Sequence, residues 1–240
     1  MKTSILTFLL VLFASIQSFA HYLWIETKTT GKLNKEQEVR VYFGEYTYGV
    51  IEKANEEAFG KVKNFTLWIV DPSGKKTQLN TKAFDNYFSA KFTPKTKGTY
   101  TVVLNNNEID VIDYTQYDFG IFKTHYHSTA KIIVGNKNEN TATLNDTGIV
   151  IKEIATSTEE KKLQVLYKNK PLVKNEVKVF VTDLWSKTLH TDKDGFVSFK
   201  LPWKTKYTIE TTTKEEVPGK YNGKDYQFIW HCATYCFPDN

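Results

Sequence analysis

Beyond Ile16 the sequence contains no apolar run near the roughly 18–20 residues that a membrane-spanning helix needs, so the expected mature chain is not itself membrane-spanning. No stretch repeats apolar residues at helical spacing, which argues against a helical core. Lysine and arginine are numerous but dispersed. The formal net charge is +5 over 240 residues, and without a basic block no nucleic acid is expected as a partner. There is no nucleophile elbow, no phosphate-cradling glycine loop and no paired-carboxylate signature. The sequence therefore names no catalytic residue, and the chain is expected not to be an enzyme. Cysteine is scarce, with Cys232 and Cys236 near the C-terminus. Four apart on one strand, they would lie about 13 Å from each other, too far for a disulfide. A turn between them would allow a bridge, and two thiols beside His231 also suggest a soft-metal site. No second cysteine pair supplies the usual zinc spacing, which favours a structural role.

The first residues present a secretory leader. Lys2 supplies the positive end, Ile5 to Ile16 is a short apolar run, and Ser18 and Ala20 are small residues before the expected cut. Cleavage after Ala20 leaves His21 as the first residue of a periplasmic or secreted chain. A free N-terminal histidine places an α-amine and an imidazole on one residue. Its amine and Nδ1 can close a chelate ring on a metal ion, and tetragonal nitrogen sites favour Cu(II) or Ni(II). The amine titrates near pH 7.7–8 and the imidazole near 6.5, so both lose their protons readily near neutrality.

The chain beyond His21 is rich in strand formers. Aromatics make up 15% of the sequence, with 14 Tyr and 16 Phe. Val39, Val41 and Phe43 alternate on one face, as do Phe65, Leu67 and Ile69. Residues 47–60 are polar and read as a long loop with at most one helical turn. Asp71-Pro72-Ser73-Gly74 is a turn, and Leu189 to Phe199 carries an Asp194-Gly195 hairpin signal. Short strands with regular turn signals predict an all-β chain of two antiparallel β-sandwiches, Ig-like or transthyretin-like. The expected division is a leader at 1–20, an N-terminal sandwich at 21–134, a polar linker at 135–146 and a C-terminal sandwich at 147–240.

The five histidines are His21, His125, His127, His190 and His231. His125 and His127 are two apart, so on a strand both rings share one face, about 7 Å apart at the backbone. That is a workable separation for two ligands of one ion. His231 falls in the last strand, between Trp230 and Cys232, and His190 reads as a surface residue. The candidate metal ligands are thus His21, His125, His127 and His231. Glu26 and Glu45 are candidate carboxylates to orient an imidazole N–H.

In the order of these pieces the chain resembles a family of exported bacterial proteins of unknown function. Its members are described as periplasmic components of nickel or cobalt uptake transporters. Ala20-His21-Tyr22-Leu23-Trp24-Ile25-Glu26, Val41-Tyr42-Phe43-Gly44-Glu45, Tyr126 to Gly135 and Trp230-His231-Cys232-Ala233-Thr234 carry the likeness. Lys168 to Leu172 and Thr191 to Gly195 are similar to carboxypeptidase-regulatory and transthyretin-like sandwiches. The resemblance implies a divalent transition metal, nickel or cobalt or copper, and a membrane metal transporter as partner; by position it carries over His21 and His231. Two other readings stand beside it. One is a copper monooxygenase acting on polysaccharide, whose N-terminal His is joined by a second His. The other is a surface or carbohydrate-contact module without metal.

Overall fold

The computed structural model describes residues 21–135, 145–156 and 160–238. The expected leader and most of the expected linker lie outside those residues. The chain is all-β, as its alternating apolar pattern predicts. The strands of four residues or more in the first half are β1 (Tyr22–Thr27), β2 (Gln37–Glu45), β3 (Thr66–Val70), β4 (Phe88–Phe92), β5 (Gly98–Asn106), β6 (Val111–Tyr114) and β7 (Gly120–Val134). The second half supplies β8 (Ile149–Ile154), β9 (Lys161–Tyr167), β10 (Glu176–Val181), β11 (Trp185–His190), β12 (Phe196–Phe199), β13 (Tyr207–Glu215) and β14 (Phe228–Phe237). The polar stretch 47–60 holds one α-helical turn, Glu57–Gly60, which buries Phe59, and the end of a 3-10 turn, Tyr46–Tyr48.

The largest sheet runs β11-β10-β13-β14-β7-β5-β3 and takes strands from both halves of the chain. Pairing is antiparallel except at two of the contacts of β7, which pairs antiparallel with β5 and β6. That strand runs parallel to β14, and over two residues parallel to Thr30–Gly31. Parallel strands are stable where both faces are covered, and residues 127–132 are buried without a break. On one face, Ala130, Ile132 and Val134 of β7 pack against Leu23, Ile25, Val39 and Val41 of a second sheet, β1-β2-β4. On the other face, Ala233, Tyr235 and Phe237 of β14 pack against Ile149, Ile151, Leu163 and Val165 of a third sheet, β8-β9 with β12. Two cores therefore share one sheet. A third cluster, of Tyr22, Trp24, Tyr42 and Tyr46 with Cys232 and Cys236, lies on the β1 side.

The Asp194-Gly195 turn forms, but the hairpin expected around it does not. Asp192 accepts hydrogen bonds from the Asp194 and Phe196 amides, and Gly195 takes a φ of +76°. The flanking strands then part: β11 pairs with β10, whereas β12 pairs with β9 in a different sheet. Val197 and Phe199 bury their side chains in the core beneath β9, and that burial outweighs local closure of the hairpin.

Strand β1 edges its own sheet, and its outward backbone is sealed by hydroxyls from the central sheet. Thr234 donates to the Leu23 carbonyl (2.8 Å), the Ile25 amide donates to Ser128 Oγ (3.2 Å), and Tyr126 donates to the His21 carbonyl (2.8 Å). An unpaired strand edge invites association with other chains; here it is closed internally, and the position of His21 is fixed by the same bonds.

Candidate functional site

His21 stands at the start of β1, about a quarter exposed. Its Nε2 meets Glu52 Oε1 at 2.7 Å, and its ring lies against Phe43 with centroids 5.4 Å apart. A neutral imidazole that donates from Nε2 to a carboxylate carries its lone pair on Nδ1, the nitrogen nearer its own main chain. Glu45 is buried close by. Burial raises its pKa, opposed by a hydrogen bond from Thr47 and by the nearness of His21. Glu52, which sequence reasoning missed, is therefore the carboxylate that orients His21. Glu26 orients no histidine; it accepts from Trp24 Nε1 (2.9 Å) and Lys206 Nζ (2.8 Å).

The other three candidate ligands meet elsewhere. Parallel register sets His125 opposite His231 and His127 opposite Ala233, so His125, His127 and His231 share the face turned toward β8 and β9. Centroids of His127 and His231 are 5.2 Å apart with the rings nearly parallel, and His125 stands edge-on to His231 at 5.0 Å. His127 Nε2 and His231 Nδ1 are 2.9 Å apart, and His127 Nδ1 is 2.7 Å from Asn105 Oδ1. His231 Nε2 faces Glu215 Oε2 at 3.1 Å and the Tyr167 hydroxyl at 3.2 Å. Lys168 Nζ closes a short ion pair on Glu215. Gly148 has no side chain because the His127 ring fills that space: a Cβ there would lie 2.0 Å from its Cε1.

Electrostatics keep this cluster neutral on its nitrogens and charged on its carboxylate. Burial, then His231 and Lys123, push the His125 pKa down to about 3. Burial depresses His127 well below the usual range and lowers His231, against the pull of Glu215. Burial alone would raise Glu215; hydrogen bonds from Lys168 and Tyr167, with His231 beside them, outweigh it and bring the pKa to about 2. One buried nitrogen, His125 Nε2, has no hydrogen-bond partner. A buried polar atom left unpaired costs about 1–3 kcal/mol, so its persistence asks for a reason.

The four sequence-predicted ligands thus occupy two places. His21 is held by Tyr126, whose side chain points to the opposite face of β7 from His125 and His127. The central sheet lies between them, and one ion does not reach both. Among the described residues no group of three or more His, Cys, Asp or Glu side chains is placed, as it stands, to hold a metal ion. Cys232 and Cys236 are free, buried and carried on one continuous strand, as their spacing predicts for that arrangement. Both point away from His231, toward Tyr22 and Trp24. His190 is exposed on β11. Tyr167, Lys168, Glu215, Asn105 and Asn145 complete the cluster from four other segments, and no local spacing in the sequence marks them.

Among the described residues no helix is long and apolar enough to cross a membrane. Likeness to solved structures is slight. Trypsin-activated alpha-2-macroglobulin from Escherichia coli is 8% identical with a TM-score of 0.32; the match covers 92% of this chain and 16% of that one. Salmonella alpha-2-macroglobulin reacted with methylamine is 10% identical with a TM-score of 0.30, over 92% of this chain and 15% of that one. The BSP domain of a biofilm-associated protein is 11% identical with a TM-score of 0.23, over 90% and 30%. No curated protein matches the chain. A family model matches residues 18–215, from the residues before His21 through Glu215, and by that match the chain belongs to the family described as Domain of unknown function (DUF4198).

Proposed function

We propose that this protein binds a divalent transition-metal ion (nickel, cobalt or copper) outside the cytoplasmic membrane and delivers it to a membrane metal transporter. The observation that carries the reading is the 2.7 Å contact between His21 Nε2 and Glu52. A carboxylate on the far nitrogen is the usual second partner of a metal-binding imidazole; it fixes the tautomer and raises the basicity of the ligating nitrogen. With the chain cut after Ala20, the His21 amine and Nδ1 form a chelate on a residue whose carbonyl is already held by Tyr126. Holding the ligand in place before the ion arrives lowers the ordering cost of binding. Partial exposure of His21 leaves the ion accessible for transfer.

The copper monooxygenase reading needs a second imidazole beside His21. His125, His127 and His231 face the other side of the central sheet, so support for that chemistry is weaker than for capture alone. Titration of the exported, terminally sequenced protein with Ni(II), Co(II) and Cu(II), beside a form carrying one extra residue before His21, tests the proposal. Both forms carry His125→Ala, so that only the N-terminal site is read. Tight binding that the extra residue abolishes and Glu52→Gln weakens supports it. Binding indifferent to the extra residue refutes the N-terminal chelate. Absence of binding in either form refutes the N-terminal site, and absence in the protein with His125 intact as well favours a module without metal.

A further inference from the structure

We infer that the opposite face of the central sheet carries a second, separate cation site, made by His125 Nε2, His231 Nε2 and the Glu215 carboxylate, in which the Lys168 ammonium stands in for the ion. This inference goes beyond the N-terminal reading and does not require it.

Asn145 Nδ2 donates to the Ile149 carbonyl (3.3 Å), which orients the Asn145 amide. Asn145 Nδ2 also donates to Asn105 Oδ1 (2.8 Å), while Asn105 Nδ2 donates to Asn145 Oδ1 (3.0 Å). The paired amides leave Asn105 Oδ1 as the acceptor facing His127 Nδ1, so His127 carries its proton there and accepts at Nε2. His231 must then donate from Nδ1, and a neutral His231 has its lone pair on Nε2. That lone pair faces Glu215 Oε2 at 3.1 Å. The Tyr167 hydroxyl, 3.2 Å from the same nitrogen, holds a single proton for these two acceptors, and a cation between them would relieve the repulsion that remains. Ligands each about 2.1 Å from one ion stand roughly 3.0–3.4 Å apart, and His231 Nε2 and Glu215 Oε2 fall in that range. Beside them is the unpartnered His125 Nε2, its ring 5.0 Å from that of His231. An ion bridging the three would satisfy all of them.

His127 is an orienting residue: it passes the tautomer set by Asn105 to His231, as carboxylates and carbonyls do for metal-bound imidazoles. Lys168 explains why no closed centre stands ready. Its ammonium is paired to Glu215 and occupies the charge of that carboxylate, although Glu215 Oε2 already reaches His231. The side chain is 41% exposed, so the ammonium can move into water when an ion of higher charge arrives. Two imidazoles and one carboxylate suit zinc, cobalt or nickel.

Titration with Co(II), followed by its visible d–d absorption and by calorimetry, tests the inference in the full-length exported protein carrying His21→Ala. The expected result is one equivalent bound. Glu215→Gln and His125→Ala each weaken it at least tenfold, and Lys168→Met tightens it several-fold by removing the internal competitor. A gain of affinity does not arise from misfolding, so Lys168→Met keeps the test sound even where another variant folds poorly. No Co(II) bound by the His21→Ala, Lys168→Met protein overturns the second site. So does binding that survives Glu215→Gln together with His125→Ala. Metal bound by the His125→Ala protein but not by the His21→Ala protein overturns this site and leaves the N-terminal proposal standing.

Discussion

Gly148→Ala isolates the packing of the histidine cluster in one methyl group. The φ of Gly148 lies outside the left-handed region, so alanine meets no backbone penalty. Its Cβ, however, would lie 2.0 Å from His127 Cε1, 2.2 Å from Nδ1 and 2.6 Å from Nε2. The Gly148 carbonyl accepts from the Lys168 amide (2.9 Å), which ties the turn to the end of β9 and limits its retreat. The imidazole must therefore move and give up its contacts with Asn105 and His231. Each buried group left unpaired costs about 1–3 kcal/mol, and overpacking strain costs about 1–3 kcal/mol more. A total of about 3–5 kcal/mol is expected, or a fall in Tm of roughly 10 °C for a chain of this size. His127→Ala alone should cost about 2–4 kcal/mol, since it leaves Asn105 and His231 without their partner. In that background the Gly148→Ala methyl enters vacated space and should cost almost nothing. Urea denaturation of the four proteins closes the cycle, with an expected coupling of roughly 3 kcal/mol. Equal cost of Gly148→Ala in both backgrounds, or a cost under about 1 kcal/mol in the parent, refutes the packing argument.

Acidification of the metal-free protein should lower stability between about pH 6.5 and 4. The histidines of the cluster have folded pKa values below their unfolded ones, so the unfolded chain binds more protons in that window and stability rises with pH across it. Urea midpoints that stay flat from pH 7 to 4 contradict this. Thr234→Val keeps the shape of the side chain but leaves the Leu23 carbonyl unpaired and removes a hydroxyl 2.9 Å from Ser128 Oγ; about 1–3 kcal/mol should be lost, read as a lower urea midpoint at unchanged slope. Cys232 and Cys236 should resist thiol reagents in the native protein and react as two free thiols in denaturant. Burial raises both pKa values, that of Cys236 to about 12. Rapid labelling under native conditions, or one disulfide in denaturant, counts against the strand geometry.

Much of the molecule is legible without coordinates. Period-two alternation in Glu38 to Phe43 and in Thr66 to Val70 fixes strands because each buries one face. The same periodicity puts His125 and His127 on one side of β7. It separates Cys232 from Cys236 along β14, and the Asp-Gly turn at 194–195 forms as its residues require. All of these rest on the covalent chain and its neighbours within a few residues. Which strands meet across long separations is not written locally. His231 joins His125 because β14 lies parallel to β7 in one register, set by the burial of both faces of that pair. His21 is excluded from the cluster because β1 packs on the other face of the same sheet. The residues that hold the histidines in their tautomers, Glu52, Asn105, Asn145, Glu215 and Tyr167, come from segments whose sequences show only ordinary polar positions. Local composition determined that strands form and which residues share a face; the close packing of three sheets determined which faces meet, because core burial depends on contacts between residues distant in the chain.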